Sequence, residues 1–145
     1  RTRARGRGVA GHAPVRLLLD THVWFWSLTA PDRVGRKVRS RLQQAKGSIW
    51  LSPISVWELL VLAERGRIRL DAEPRAWVRA ALARAPFEEA TLNHEVAIRS
   101  REVALPHADP ADRFLVATAL VYYLTLVTAD DTLIAAKACP VLADR

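Results

Sequence analysis

Short apolar runs alternate with longer helix-like stretches along most of this chain, and the alternation constrains the fold more than any single residue does. Strand-like segments are predicted at residues 15–19, 48–51, 87–91 and 124–128. Helix-like patterns occupy 23–28, 35–45, 53–65, 74–85, 93–103, 109–123 and 131–138. Neighbouring parallel strands need a long crossover, normally a helix, so this order predicts βα units around a mainly parallel sheet rather than a bundle or an all-β sandwich. Local punctuation agrees: Ser52 before Pro53 and Asn93 read as helix caps, Gly66 as a helix stop, and Gly47 and Pro86 as breaks. No internal repeat is present.

Acidic residues punctuate the apolar segments in a way that a solvated surface would not produce. Asp20 closes the run Val15-Arg16-Leu17-Leu18-Leu19, Asp109 and Asp112 open a long apolar stretch, and Asp130 follows residues 124–128. Glu58 interrupts Ile54-Ser55-Val56-Trp57-Glu58-Leu59-Leu60-Val61-Leu62, a helix apolar on nearly every side and therefore expected to be largely buried, where an unpaired carboxylate is costly. In a parallel sheet the ends of strands and the first turns of the following helices converge on one crevice, which would gather these acids. Each also has a plainer reading. Asp20, Asp109 and Asp130 suit helix N-caps, Asp112 suits a first helical turn, and Glu58 suits a narrow wet stripe with Ser52, Ser55 and Arg65.

Composition narrows the class. The 145 residues, half of them apolar, suffice for one domain with its own core. A single Cys139 excludes an intramolecular disulfide and a thiolate zinc site, and fits a cytoplasmic protein. The formal charge is +7, but Arg1, Arg3, Arg5 and Arg7 supply four of these charges, leaving the body near +3. Residues 1–14 are Arg- and Gly-rich, without acids or hydrophobic period. They are expected to be a disordered basic arm ahead of a domain at 15–145, either able to grip phosphates or simply upstream sequence. Residues 114–129 carry no charge, yet at 16 residues with three threonines and acidic flanks they fall short of a membrane span.

If the acids meet, electrostatics choose their partner. Two carboxylates about 5 Å apart repel by roughly 3 kcal/mol at an effective dielectric near 20, so a cluster must retain protons or bind a cation. With carboxylates and the hydroxyls of Thr21, Ser55 and Thr128 as donors, a hard ion such as Mg²⁺ or Mn²⁺ is favoured. His22 and His107 stand beside the acids as supporting groups or as ordinary hydrogen-bonding residues.

Four blocks carry a family resemblance: Leu17-Leu18-Leu19-Asp20-Thr21-His22, Ser52-Pro53-Ile54-Ser55-Val56-Trp57-Glu58, His107-Ala108-Asp109-Pro110-Ala111-Asp112-Arg113 and Val127-Thr128-Ala129-Asp130. In this order they resemble the signature blocks of PIN-domain ribonucleases, most closely VapC-type toxins of prokaryotic toxin–antitoxin pairs. The resemblance implies a three-layer α/β/α sandwich and a Mg²⁺- or Mn²⁺-dependent endoribonuclease. Asp20, Glu58, Asp112 and Asp130 match the acidic quartet, Asp109 an additional acid, and Thr128 a frequent polar position near the metal. Arg113 is expected either at the rim guiding RNA or paired with Asp109 or Glu58. The resemblance also implies a homodimer and a cognate antitoxin lying over an apolar groove, for which Trp24, Trp26, Trp57 and Trp77 are groove or core material. Two alternatives stay open: a non-catalytic member that binds RNA or protein, and another metal-dependent phosphoryl-transfer hydrolase. An aspartyl phosphatase would favour Asp-x-Asp at the first strand, where this chain has Asp20-Thr21-His22.

Overall fold

Leu17–Leu19 form the central strand β1, and all three side chains are buried. A strand apolar on both faces needs cover on both, and the alternation of its side chains assigns that cover. Leu17 and Leu19 pack with Val23, Trp24, Val38, Leu59 and Val78, whereas Leu18 packs on the opposite face with Val96, Leu115, Val116 and Leu133. The molecule is thus a three-layer α/β/α sandwich. The structure is a computed structural model that describes residues 15–45, 48–85, 87–106 and 109–145. The predicted arm at 1–14, the breaks at Gly47 and Pro86, and His107 lie outside these residues.

After β1 come α1 (Thr21–Thr29), a 3₁₀ turn (Pro31–Arg33), α2 (Arg36–Gln44), β2 (Ile49–Leu51), α3 (Pro53–Glu64) and α4 (Pro74–Arg84). Then follow β3 (Glu88–Glu89), α5 (His94–Ser100), α6 (Pro110–Tyr122), β4 (Thr125–Thr128), α7 (Asp131–Ala136) and β5 (Val141–Ala143). The sheet is parallel throughout, in the order β3-β2-β1-β4-β5. Leu17 and Leu18 stand beside Ile49 and Trp50 on one side, and Leu17 to Leu19 beside Thr125 to Val127 on the other. The chain therefore steps outward from β1 to β3, returns across the sheet, and resumes at β4. Between β1 and β4 the crossovers leave on opposite faces, which opens a crevice at the C-terminal strand ends.

Two expectations need correction. Strand β5 went unpredicted, because three residues after Pro140 are too short to display a period of two. Helix α3 is less enclosed than its composition suggests. Only Ser55 and Leu59 are buried, and Trp57 is 54% exposed, so part of its apolar surface faces outward. At the other end of the chain, the Asp144 carboxylate accepts the Gly35 N–H at 2.7 Å, tying the segment after β5 to the start of α2. The approach is close enough that a Cβ at Gly35 would stand 2.5 Å from the Arg145 carbonyl oxygen.

Candidate active site

Asp20, Glu58, Asp109, Asp112 and Asp130, far apart in sequence, line one cavity of about 300 Å³ together with His22, Trp26 and Ala129. It opens where the strand order reverses. Among the described residues, no lysine or arginine contributes to its lining.

Local structure explains each placement. Asp20 follows β1 and caps α1, its Oδ1 accepting the Thr21 N–H at 2.7 Å. Its second oxygen, Oδ2, accepts from the Thr128 hydroxyl at 2.6 Å, across the β1–β4 pair. Thr128 Oγ1 in turn accepts the Asp130 N–H at 3.0 Å, and Asp130 Oδ1 caps α7 by accepting from Leu133 N at 3.1 Å. Asp109 caps α6 through Ala111 N at 2.9 Å, which aims Asp112 from the first turn of that helix. Glu58 comes from the second turn of α3, and its Oε1 accepts from the hydroxyl of buried Thr21. Capping and cavity lining are therefore compatible roles here, because a carboxylate has two oxygens and a cap occupies one.

Burial dominates the electrostatics. The Asp20 carboxyl is pushed above its ordinary range by desolvation, against the opposing hydrogen bonds from Thr128 and Thr21, with the Asp130 charge adding to the rise. Desolvation also raises Glu58, opposed by the Thr21 hydroxyl and assisted by the charges of Asp20 and Asp109. Burial and the neighbouring charges thus hold Asp20 and Glu58 toward the protonated state. Among the described residues, however, no three acidic, histidine or cysteine side chains are already gathered into a metal-holding group. The donor set fits a hard divalent cation in type and charge. The carboxylates share the cavity without converging on one point.

The remaining expected site residues divide. Thr21 and Thr128 act on the acids directly, through the bonds just described. Ser55 does not line the cavity: it is fully buried within α3, and its hydroxyl has no hydrogen-bond partner. Arg113 also turns away, because its Nη1 donates to the carbonyl oxygens of Ser100 at 3.2 Å, the last residue of α5, and Val103 at 3.4 Å, just beyond it. Those carbonyls need donors once the helix stops, and the guanidinium supplies them. Of the tryptophans, Trp24 is buried in the core, and Trp77 packs edge-on against it at 6.2 Å. Trp26 is a cavity-wall residue, which its reading as groove or core material missed. The available signal was spacing, since His22 and Trp26 stand four apart on the helix that Asp20 begins, and their rings meet at 5.5 Å.

A parallel sheet with an acid-lined crevice at its switch point defines a class of α/β proteins whose site is built for a cation or for a protonated acid pair. Comparison with known proteins makes the assignment specific. Residues 17–138 match the PIN domain family, and the chain belongs to that family as a VapC-type member. It is similar to Ribonuclease VapC22 of Mycobacterium tuberculosis, with 32% identity over 117 residues that cover 79% of this chain and 86% of that protein. Its fold resembles the DNA-bound VapBC of Salmonella typhimurium at a TM-score of 0.67 and 18% identity, covering 89% of this chain and 98% of that one. It also resembles VapBC-5 of M. tuberculosis, described as a member of a family of toxin–antitoxin systems, at a TM-score of 0.56 and 17% identity over 90% and 99% of the two chains.

Proposed function

We propose that this protein is a Mg²⁺- or Mn²⁺-dependent endoribonuclease, acting in the cytoplasm as the toxin of a toxin–antitoxin pair. The observation that carries this reading is the gathering of five carboxylates from four separate segments around one cavity whose lining, among the described residues, includes no lysine or arginine. Structural acids do not need a common cavity. Asp20, Asp112, Asp130 and Glu58 would hold the cation, with Asp109 beside them. When bound, such an ion supplies Lewis-acid polarisation of a water nucleophile and neutralises charge growing on the scissile phosphate.

The chain's own groups do the positioning. The Thr128 hydroxyl fixes one oxygen of Asp20 while the α1 cap fixes the other, so this carboxylate cannot rotate freely. Thr21 ties Glu58, on a different helix, to the same corner. The substrate is RNA. The antitoxin would cover the groove of about 660 Å³ bounded by Leu28, Leu70, Trp77, Ala80 and Arg84. The exposed apolar surface of α3 around Trp57 suits a second copy in a homodimer.

The test is incubation of purified protein with total RNA in Mn²⁺ and in chelator. Discrete cleavage in Mn²⁺ alone, lost in Asp112→Asn, supports the proposal. Equal cleavage in chelator, or none under any condition, overturns it.

A further inference from the structure

An acid-lined cavity repels the phosphates it must admit, so cations near its mouth have to hold the RNA backbone, and Arg113 is turned away from that task. One fixed cation stands against the cavity wall. Arg33, in the 3₁₀ turn after α1, places its guanidinium carbon 4.6 Å from the centroid of the Trp26 ring, and Trp26 is itself part of the cavity wall. The guanidinium is therefore held within one side chain of the acids. Arg33 is exposed, and among the described residues no carboxylate pairs with it. It also opens the most basic stretch of the domain. Arg33, Arg36, Lys37, Arg39 and Arg41 follow one another, and no acid occurs between Asp32 and Glu58. Arg36, Lys37 and Arg39 lie exposed on α2 while Val38 faces the core, so the solvent side of the helix continues the positive track.

We infer that Arg33, fixed on the Trp26 ring, is the phosphate-binding residue that seats single-stranded RNA at the mouth of the acidic cavity, with Arg36 and Lys37 extending the grip along the backbone. This rests on the ribonuclease reading above and names the residues that hold its substrate. An arginine in solution loses side-chain freedom on gripping a phosphate; one already stacked on an indole loses less, which makes Arg33 a better anchor than its neighbours on α2. A planar guanidinium over an aromatic ring beside a second ring, His22, also offers flat surfaces for an unstacked base, a feature of single-stranded rather than duplex recognition. A protein ligand would need apolar burial, and this strip is mostly charged.

The experiment compares wild type, Arg33→Ala, Arg33→Lys and a charge-matched control, Arg79→Ala on the exposed side of α4. Each variant is first checked for an unchanged melting curve. Two readouts follow: steady-state cleavage of a short single-stranded oligoribonucleotide in Mn²⁺, and the affinity for the same oligonucleotide in chelator across a salt series. Arg33→Ala should raise KM roughly three- to tenfold with kcat nearly constant, and make the log affinity against log salt slope shallower by about 0.7, the value of one phosphate contact on a single strand. Arg33→Lys should restore the slope but only part of KM, because an ammonium keeps the charge and loses the planar stack. Unchanged KM and slope in Arg33→Ala overturn the inference while leaving the ribonuclease reading intact, and so does an equal effect in Arg79→Ala. If Arg33→Ala weakens antitoxin binding and not RNA binding, the strip is a protein contact and the inference is wrong. Absence of cleavage by the wild type removes the ribonuclease reading and this inference with it.

Discussion

Asp20 shows how one side chain can serve fold and site together. One oxygen caps α1 and the other is held by Thr128, so the carboxylate is fixed before any cation arrives. Burial raises Asp20 and Glu58 above their ordinary values of 3.8 and 4.5. A carboxyl raised by folding keeps its proton longer in the folded chain than in the unfolded one. The folded state therefore binds more protons between the ordinary and raised values, and its stability falls as pH climbs through that window. In chelator, the melting temperature should decline upward from the ordinary carboxylate range, and Asp20→Asn should flatten this decline and melt at or above wild type near neutral pH. Asparagine still caps the helix, so a clearly lowered melting temperature would mean that the charge of Asp20 stabilises the fold. Thr128→Val removes the hydroxyl with almost no change of shape. It should cost about 1–3 kcal/mol in a denaturant titration, because the buried Asp20 oxygen loses its donor and the Asp130 N–H its acceptor, and weaken Mn²⁺ affinity in a calorimetric titration. Full retention of both would mean that Thr128 does not orient Asp20. The acids themselves were legible in the sequence because acids seldom end apolar runs. The directions of Arg113 and Ser55 were not, since both depend on which neighbouring element meets the helix.

At the scale of elements, ends carry most of the information and most of the error. The predicted helix over 93–103 stops at Ser100, where the Ser100 hydroxyl bonds back to the Ala97 carbonyl at 2.7 Å and Arg113 takes up the carbonyls of Ser100 and Val103. That stop depends on a distant residue, and so periodicity overran it. The edge strand β3 consists of exposed Glu88 and Glu89, whose composition argues against a strand; backbone pairing with Trp50 and Leu51 makes it one. Such short, charged edges also discourage further strand addition. Helix α6 ends at Tyr123 in the left-handed conformation, φ 57°, and the residue is 85% exposed. A left-handed backbone strains any residue with a Cβ by about 1–2 kcal/mol, whereas glycine loses roughly 0.5–1 kcal/mol of that advantage through its freer unfolded state. Tyr123→Gly should therefore stabilise the protein by about 0.5–1 kcal/mol, read as a raised denaturation midpoint with an unchanged slope. A lowered midpoint would show that the Tyr123 ring contributes contacts outweighing the strain.

Across the whole molecule, the order β3-β2-β1-β4-β5 collects charges that repel one another. Its reversal between β1 and β4 delivers Asp20 and Asp130 to one edge, α3 brings Glu58 across from the layer of α1, and α6 brings Asp109 and Asp112 from the opposite layer. Helix caps and two threonine hydroxyls satisfy individual oxygens, but none of them neutralises charge. A divalent ion does, and the unfolded chain, with these acids dispersed over more than a hundred residues, would hold it poorly. Binding to the folded state alone should then raise stability by RT ln(1 + [Mn²⁺]/Kd), about 2.7 kcal/mol at a hundredfold excess over Kd. For a domain of this size that corresponds to a rise of roughly 5–11 °C in melting temperature. The shift should shrink toward acidic pH, because Asp20 and Glu58 must release their protons to accept the ion and both hold them above the ordinary range. It should also be absent in Asp112→Asn if the four segments form one site. Equal shifts in wild type and Asp112→Asn would place the ion elsewhere on the surface. No shift in wild type at any pH would mean that the crowded carboxylates relieve their repulsion by keeping protons, and the metal-dependent reading would fall with it.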